Sequence, residues 1–152
     1  MKAFYAGSFD PFTIGHLSVA LRAVEMFGDL IIGIGYNEKK RNETLLENRK
    51  AHIEKLFADN KNVKVIVYDR LTAEVAKENG AGVLVRGVRN SFDFEKEKEL
   101  ADINLKVFGI PTAMLPAEPD LSYISSSMVR ELRHFGYDVS DFIAGDNTLI
   151  NM

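Results

Sequence analysis

Residues 5–16 read YAGSFDPFTIGH. The apolar run Lys2 to Ala6 stops at Gly7, and a Ser-Phe-Asp-Pro turn follows. Thr13-Ile14-Gly15-His16 then leads into Leu17, Ala20, Leu21, Val24 and Phe27, which recur at helical spacing. A strand therefore passes into a helix through a glycine-bearing turn. Gly7 allows a sharp turn and a close ligand approach. Gly15 sits where the free amides and dipole of a helix start favour an anion, and His16 stands on that same first turn.

The same alternation continues outward. Leu30 to Ile34 reads as a second strand. Thr44-Leu45-Leu46-Glu47 reads as a capping box opening a helix with Ala51, Ile53, Leu56 and Phe57. Val63 to Val67 is a third strand, and Leu71 to Asn79 a short helix stopped by Gly80. Val83 to Val85 is a fourth strand. Phe92 to Phe108 is the longest helix, ended by Gly109 and Pro111, and Thr112 to Leu115 is a fifth strand. A serine cluster and a helix from about Ser126 close the pattern. Strands that are apolar runs rather than two-period alternations indicate a parallel sheet covered on both faces. The expectation is one α/β, Rossmann-like domain over residues 1–152, a five-stranded parallel sheet with helices on both faces. Ala144 to Met152 has weak periodicity and reads as a loose tail or a segment packed on a neighbour.

The bulk composition narrows the function. The 152 residues are 46% apolar and 27% charged, an ordinary globular balance. A net charge of −3 argues against a general nucleic-acid binder, which needs a basic face. The chain has no cysteine, which excludes disulfides, thiolate metal sites and a thiol nucleophile, and fits a reducing compartment. No signal pattern opens the sequence, and no apolar run approaches ~18 residues. The expected location is cytoplasmic, with no membrane partner.

In open parallel sheets, ligands bind outside the carboxyl ends of the strands. The polar residues fall there: Gly7-Ser8-Phe9-Asp10-Pro11, Asn37-Glu38-Lys39-Lys40-Arg41, Asp69-Arg70-Leu71-Thr72, Arg86-Gly87-Val88-Arg89 and Ser125-Ser126-Ser127. That rim would carry several cations, two helix starts and a histidine, which suits a molecule with more than one phosphate. Arginine grips phosphate with paired bonds, and the serines offer hydroxyls and amides at a helix start. There is no GxxxxGK[ST], HExxH or EF-hand pattern, and Gly33-Ile34-Gly35 lacks the third glycine of a dinucleotide fingerprint.

Plainer readings compete at several positions. Asp10 is expected to fix the turn before Pro11. Glu95 to Glu99 is mainly a solvated helical face, with Glu97 the exception. His52 and His134 read as structural, and the Phe92–Phe94 pair as core or oligomer contact.

Thr13-Ile14-Gly15-His16 together with Ile124-Ser125-Ser126-Ser127 resembles the (H/T)xGH and ISSS signatures of the nucleotidyltransferase superfamily. The stretches GSFDPFTIGH (7–16), VLVRGVRNSFDFEKEKELADIN (83–104) and SYISSSMVRE (122–131) resemble the bacterial phosphopantetheine adenylyltransferases more closely. The resemblance implies adenylyl transfer from ATP to 4′-phosphopantetheine, giving dephospho-coenzyme A and pyrophosphate. It implies direct attack without a covalent intermediate, magnesium as cofactor, no metal held by named side chains, and a homohexamer. It also implies roles. His16 would stabilise the ATP phosphates, with Lys40 and Arg86 as the other catalytic residues. Ser8, Lys40 and Arg86 would hold the attacking phosphate, and Leu71 and Thr72 would line the pantetheine arm. ATP would meet Ser8, Phe9, His16, Gly87, Arg89, Glu97, Ser125, Ser126, Ser127 and Arg130. The lysine loop departs from the family pattern: Lys39 and Lys40 compete for one role, with Lys40 preferred from its distance to Leu46-Glu47. Arg70 replaces the family's glycine before Leu71-Thr72, as a changed pantetheine channel or a surface change.

Overall fold

The structure is a computed structural model that describes residues 1–37 and 45–145. Its elements run β1 (Lys2–Gly7), α1 (Ile14–Phe27), β2 (Asp29–Gly35), α2 (Leu46–Leu56), β3 (Val63–Tyr68), α3 (Thr72–Glu78), β4 (Val83–Val88), α4 (Ser91–Phe108), β5 (Thr112–Pro116) and α5 (Ser126–His134). A 3-10 turn over Pro119–Leu121 precedes α5. The five strands form one sheet in the order β3-β2-β1-β4-β5, every neighbouring pair parallel. The order reverses between β1 and β4, so a crevice opens beyond Gly7 and Arg86.

Strand periodicity divides β1 between two cores. Ala3 and Tyr5 face Leu17, Ala20 and Ile53 of α1 and α2, whereas Phe4 and Ala6 face Ala73, Val75 and Ala76 of α3. Both faces of β1 are therefore buried, which explains its unbroken apolar run. Gly33 in β2 exists for packing. A Cβ there would come 2.3 Å from the Phe4 ring, which no neighbour could absorb.

Two local readings change. α2 begins at Leu46 with Leu45 in the N-cap position and no side-chain cap; Thr44 lies outside the described residues, and the expected Thr44–Glu47 box is not the cap seen. The capping box is at α1 instead, between Thr13 and His16. Phe92 and Phe94 are not core: they are 79% and 48% exposed, and none of the α4 residues is buried.

The segment before residue 145 is tied to the sheet's business end. Ile14 N–H donates to the Phe142 carbonyl (3.0 Å), Ala144 N–H donates to Phe12 (3.1 Å), and Ala144 itself is buried. His52 Nε2–H donates to the Ala144 carbonyl (2.7 Å), the structural role expected of that histidine. Residues 146–152 lie outside the described residues. Among the described residues no helix is long and apolar enough to cross a membrane.

Candidate active site

A cavity of about 330 Å³ sits at the β1–β4 crossover. The β1 turn contributes Ser8 and Phe9, and the start of α1 contributes Gly15 and His16. The end of β4 contributes Arg86, Gly87 and Arg89; α4 contributes Asp93 and Glu97. The start of α5 contributes Ser125, Ser126, Ser127 and Arg130. One space thus gathers residues spread over most of the chain. Lys40 and Lys39 lie outside the described residues.

The turn after β1 is shaped by Phe9, not by glycine torsions. Phe9 has φ 49°, in the left-handed region that aromatic residues rarely enter, and Gly7 has no positive φ. Gly7 is needed for space: a Cβ there would stand 2.9 Å from the Phe9 ring, which folds back over it. Phe9 is 2% exposed and packs edge-on against Tyr5 and Phe12. Burying a ring of this size contributes roughly 1.5–3 kcal/mol, enough to offset an unfavourable torsion of about 1–3 kcal/mol. The turn is also pinned through its carbonyls. Arg49 Nη1 donates to Ser8 (2.7 Å), Arg130 Nη1 to Asp10 (2.6 Å), and Ser126 Oγ to Pro11 (2.8 Å).

His16 is fixed by the reciprocal cap. Thr13 N–H donates to His16 Nδ1 (3.0 Å), and His16 N–H donates to Thr13 Oγ1 (3.3 Å). Because Nδ1 accepts, the ring proton of the neutral imidazole must be on Nε2. The ring stacks on Phe12 and meets Phe9 edge-on. Burial, then Arg86 and Arg89, lower its pKa to about 3. His16 is accordingly a neutral imidazole with Nε2–H as its free donor, at the N-terminus of α1. By contrast, a Cβ at Gly15 would meet only Thr13 Oγ1 at 3.4 Å and the Ile124 carbonyl at 4.0 Å, so the protein's own packing does not demand glycine there.

Two of the cavity's three arginines, Arg86 and Arg89, are each clasped by a carboxylate of α4. Arg86 Nε and Nη2 donate to the two Glu97 oxygens (2.9 and 2.8 Å), and its Nη1 donates to the Ala6 carbonyl. Arg89 Nε and Nη2 donate to Asp93 (2.9 and 3.3 Å). Asp93 and Glu97 are one helical turn apart, so a single face of α4 serves both. Burial works against the Arg86 charge, and Glu97 more than offsets it, leaving its pKa above the ordinary arginine value. Burial likewise opposes the Asp93 charge, but Arg89 holds its pKa below the usual carboxylate range. Asp93 was not among the sequence-derived site residues; its signal was the spacing of four from both Arg89 and Glu97.

At α5, Ser125 is the N-cap, accepting from Met128 N–H (3.1 Å), and its hydroxyl meets that of Ser127 (3.2 Å). Ser127 remains the serine of the triplet whose hydroxyl is not committed to a backbone partner.

Leu71 and Thr72 do not line this cavity. They line a second, more apolar one of about 420 Å³ with Leu100, Ile103 and Val107 of α4. Ala6, Arg86 and Glu97 belong to both, so the Arg86–Glu97 pair forms the shared wall. Thr72 Oγ1 lies 2.8 Å from the Tyr68 hydroxyl. Arg70 pairs with Glu78 at the surface (2.5 and 3.0 Å) and is not among the residues lining either cavity.

Residues 4–132 match the cytidylyltransferase-like family. A phosphopantetheine adenylyltransferase of Phocaeicola vulgatus is 50% identical over 142 residues, covering 93% of this chain and 94% of the relative. The corresponding protein of Bacteroides thetaiotaomicron is 47% identical with the same coverage. Among solved structures, the fold is shared with a bifunctional NMN adenylyltransferase/ADP ribose pyrophosphatase from Francisella tularensis. That match has a TM-score of 0.73 at 16% identity, covering 96% of this chain and 45% of that one. The cavity at the β1–β4 crossover, the TxGH cap and these relatives agree: the chain belongs to the phosphopantetheine adenylyltransferase family of cytidylyltransferase-like proteins.

Proposed function

We propose that the protein transfers the adenylyl group of ATP to 4′-phosphopantetheine, forming dephospho-coenzyme A and releasing pyrophosphate. The observation that carries this is one polar cavity, bounded by two helix N-termini and three arginines, joined through Arg86 to an apolar one. The polar cavity suits a triphosphate, and the apolar one a flexible pantetheine arm whose phosphate reaches Arg86. Ser8 and Arg86 hold the attacking phosphate, with Lys40 as the proposed third hand. Leu71 and Thr72 line the arm. Gly87, Arg89, Ser125 to Ser127 and Arg130 surround the nucleotide phosphates.

Attack of the acceptor phosphate oxygen on the α-phosphorus forms one P–O bond as the bond to pyrophosphate breaks. No protein nucleophile is needed; positioning and charge stabilisation supply the rate. His16 Nε2–H donates to the phosphate oxygens as charge builds on them. Arg86 has five N–H donors, of which Glu97 and the Ala6 carbonyl take three, leaving two for the acceptor phosphate.

Magnesium, bound to the nucleotide phosphates, would supply further charge stabilisation there. The carboxylates lining the cavity, Asp93 and Glu97, are both engaged with arginines. The ion commonly keeps its waters and binds substrate phosphates. A homohexamer is part of the same reading, supported by the apolar residues that α4 exposes, including Phe92, Leu105 and Val107. A cytoplasmic location fits the absence of cysteine.

Product analysis by mass spectrometry tests the acceptor. ATP is offered with 4′-phosphopantetheine, nicotinate mononucleotide or glycerol 3-phosphate. Dephospho-coenzyme A from the first, and no adenylylated product from the others, is expected. An adenylylated product from another acceptor alone would overturn the assignment.

A further inference from the structure

Arg49 is 2% exposed, on the inward face of α2, and is not among the residues lining either cavity. Its Nη1 donates to the Ser8 carbonyl at 2.7 Å. Its Nε and Nη2 are buried with no hydrogen-bond partner among the described residues. Among the described residues the Ser8 carbonyl is the hydrogen-bond partner of this guanidinium, and burying a guanidinium is costly.

Its contact has a geometric consequence. A trans peptide is planar, with its C=O and N–H pointing in opposite directions. Drawing the Ser8 carbonyl towards α2 therefore sends the Phe9 N–H away from α2, and Ser8 and Phe9 both line the cavity. Phe9 holds a disfavoured positive φ, and the Arg49 bond adds to the ring packing that holds this peptide in place. We propose that Arg49 is a positioning residue of the site: by holding the Ser8 carbonyl from behind, it aims the Phe9 amide at the nucleotide phosphates. This rests on ATP being the nucleotide substrate.

The test compares Arg49→Met and Arg49→Lys with the wild type in turnover, melting temperature and pyrophosphate binding by calorimetry. For Arg49→Met, kcat/KM for ATP should fall about 10- to 100-fold, KM for phosphopantetheine should stay within about twofold, and the melting temperature should change little. Arg49→Lys, which retains a donor and a charge, should recover most of the loss. Overturning results are an Arg49→Met enzyme within twofold of wild type, equal losses for both substrates, or no rescue by lysine. If the wild type makes no dephospho-coenzyme A, the substrate assignment fails, and pyrophosphate binding alone then decides the role of Arg49. About tenfold weaker binding in Arg49→Met supports it, and unchanged binding refutes it.

Discussion

Thr13 and His16 cap one another: each backbone N–H is satisfied by the other's side chain, at 3.0 and 3.3 Å. The family motif is thus a capping box in which histidine takes the place of the usual Glu or Gln. Helix initiation and the ring's tautomer are one structural fact. In ¹⁵N NMR of the free protein, His16 should show the neutral Nε2–H form throughout pH 5–8, roughly where an ordinary histidine titrates. A titration near 6.5 would refute this.

The same shift sets a pH dependence of stability. Native His16 stays neutral down to about pH 3, whereas in the unfolded chain it binds a proton near 6.5. The unfolded state thus holds the extra proton between these values. Stability associated with His16 is intact above about 6.5 and is lost as pH falls towards 3. Urea melts of wild type and His16→Gln across that window should show a shallower pH slope in the variant. Equal slopes would assign the acid sensitivity elsewhere.

Gly15→Ala separates packing from ligand approach. A methyl there meets no protein atom closer than 3.4 Å, and alanine favours a helix over glycine by up to about 1 kcal/mol. The melting temperature should hold or rise. ATP affinity should fall, because Gly15 lines the cavity. Unchanged affinity would show that no ligand atom approaches it.

Arg86 serves both the wall and the site. Arg86→Ala should raise KM for phosphopantetheine by about 10- to 100-fold, the loss of charged hydrogen bonds worth roughly 1.5–3 kcal/mol. It should also destabilise, because the Glu97 side chain, 12% exposed, would be left without its partner. Adding Glu97→Ala should restore much of the stability and none of the acceptor affinity. Recovery of both in the double variant would make the pair purely structural.

His52→Ala tests the tie between α2 and the segment at Ala144. Losing the 2.7 Å bond to the Ala144 carbonyl should cost about 0.5–1.5 kcal/mol in a urea melt. A change below about 0.3 kcal/mol would mean the backbone pairing of residues 12–14 with 142–144 suffices alone.

The sheet was legible because the inner strands β1 and β2, buried at nearly every position, had to be apolar throughout, and because Gly7, Gly80 and Gly109 punctuated the chain. The cavity was legible because motif residues follow strands β1, β4 and β5, whose carboxyl ends share one rim. What the sequence hid depends on tertiary pairing. Asp93 stood in a charge-rich helix and looked solvated until Arg89 was seen beside it. Arg49 resembled any helix-borne charge, yet it is turned inward onto Ser8. The positive φ expected in a glycine turn belongs to Phe9, because aromatic packing outweighed torsional preference. Leu71 and Thr72 follow a strand like the others, but β3 is the sheet edge, so they open a neighbouring cavity instead.

The most direct measurement is pyrophosphate release by wild type and His16→Ala at saturating ATP and 4′-phosphopantetheine, alongside their melting curves. Release by wild type should require both substrates. His16→Ala should lose about 10²–10³ in kcat, the usual cost of one transition-state donor, while remaining folded. A folded His16→Ala protein releasing pyrophosphate at the wild-type rate would contradict the placement of the reacting phosphates at the start of α1.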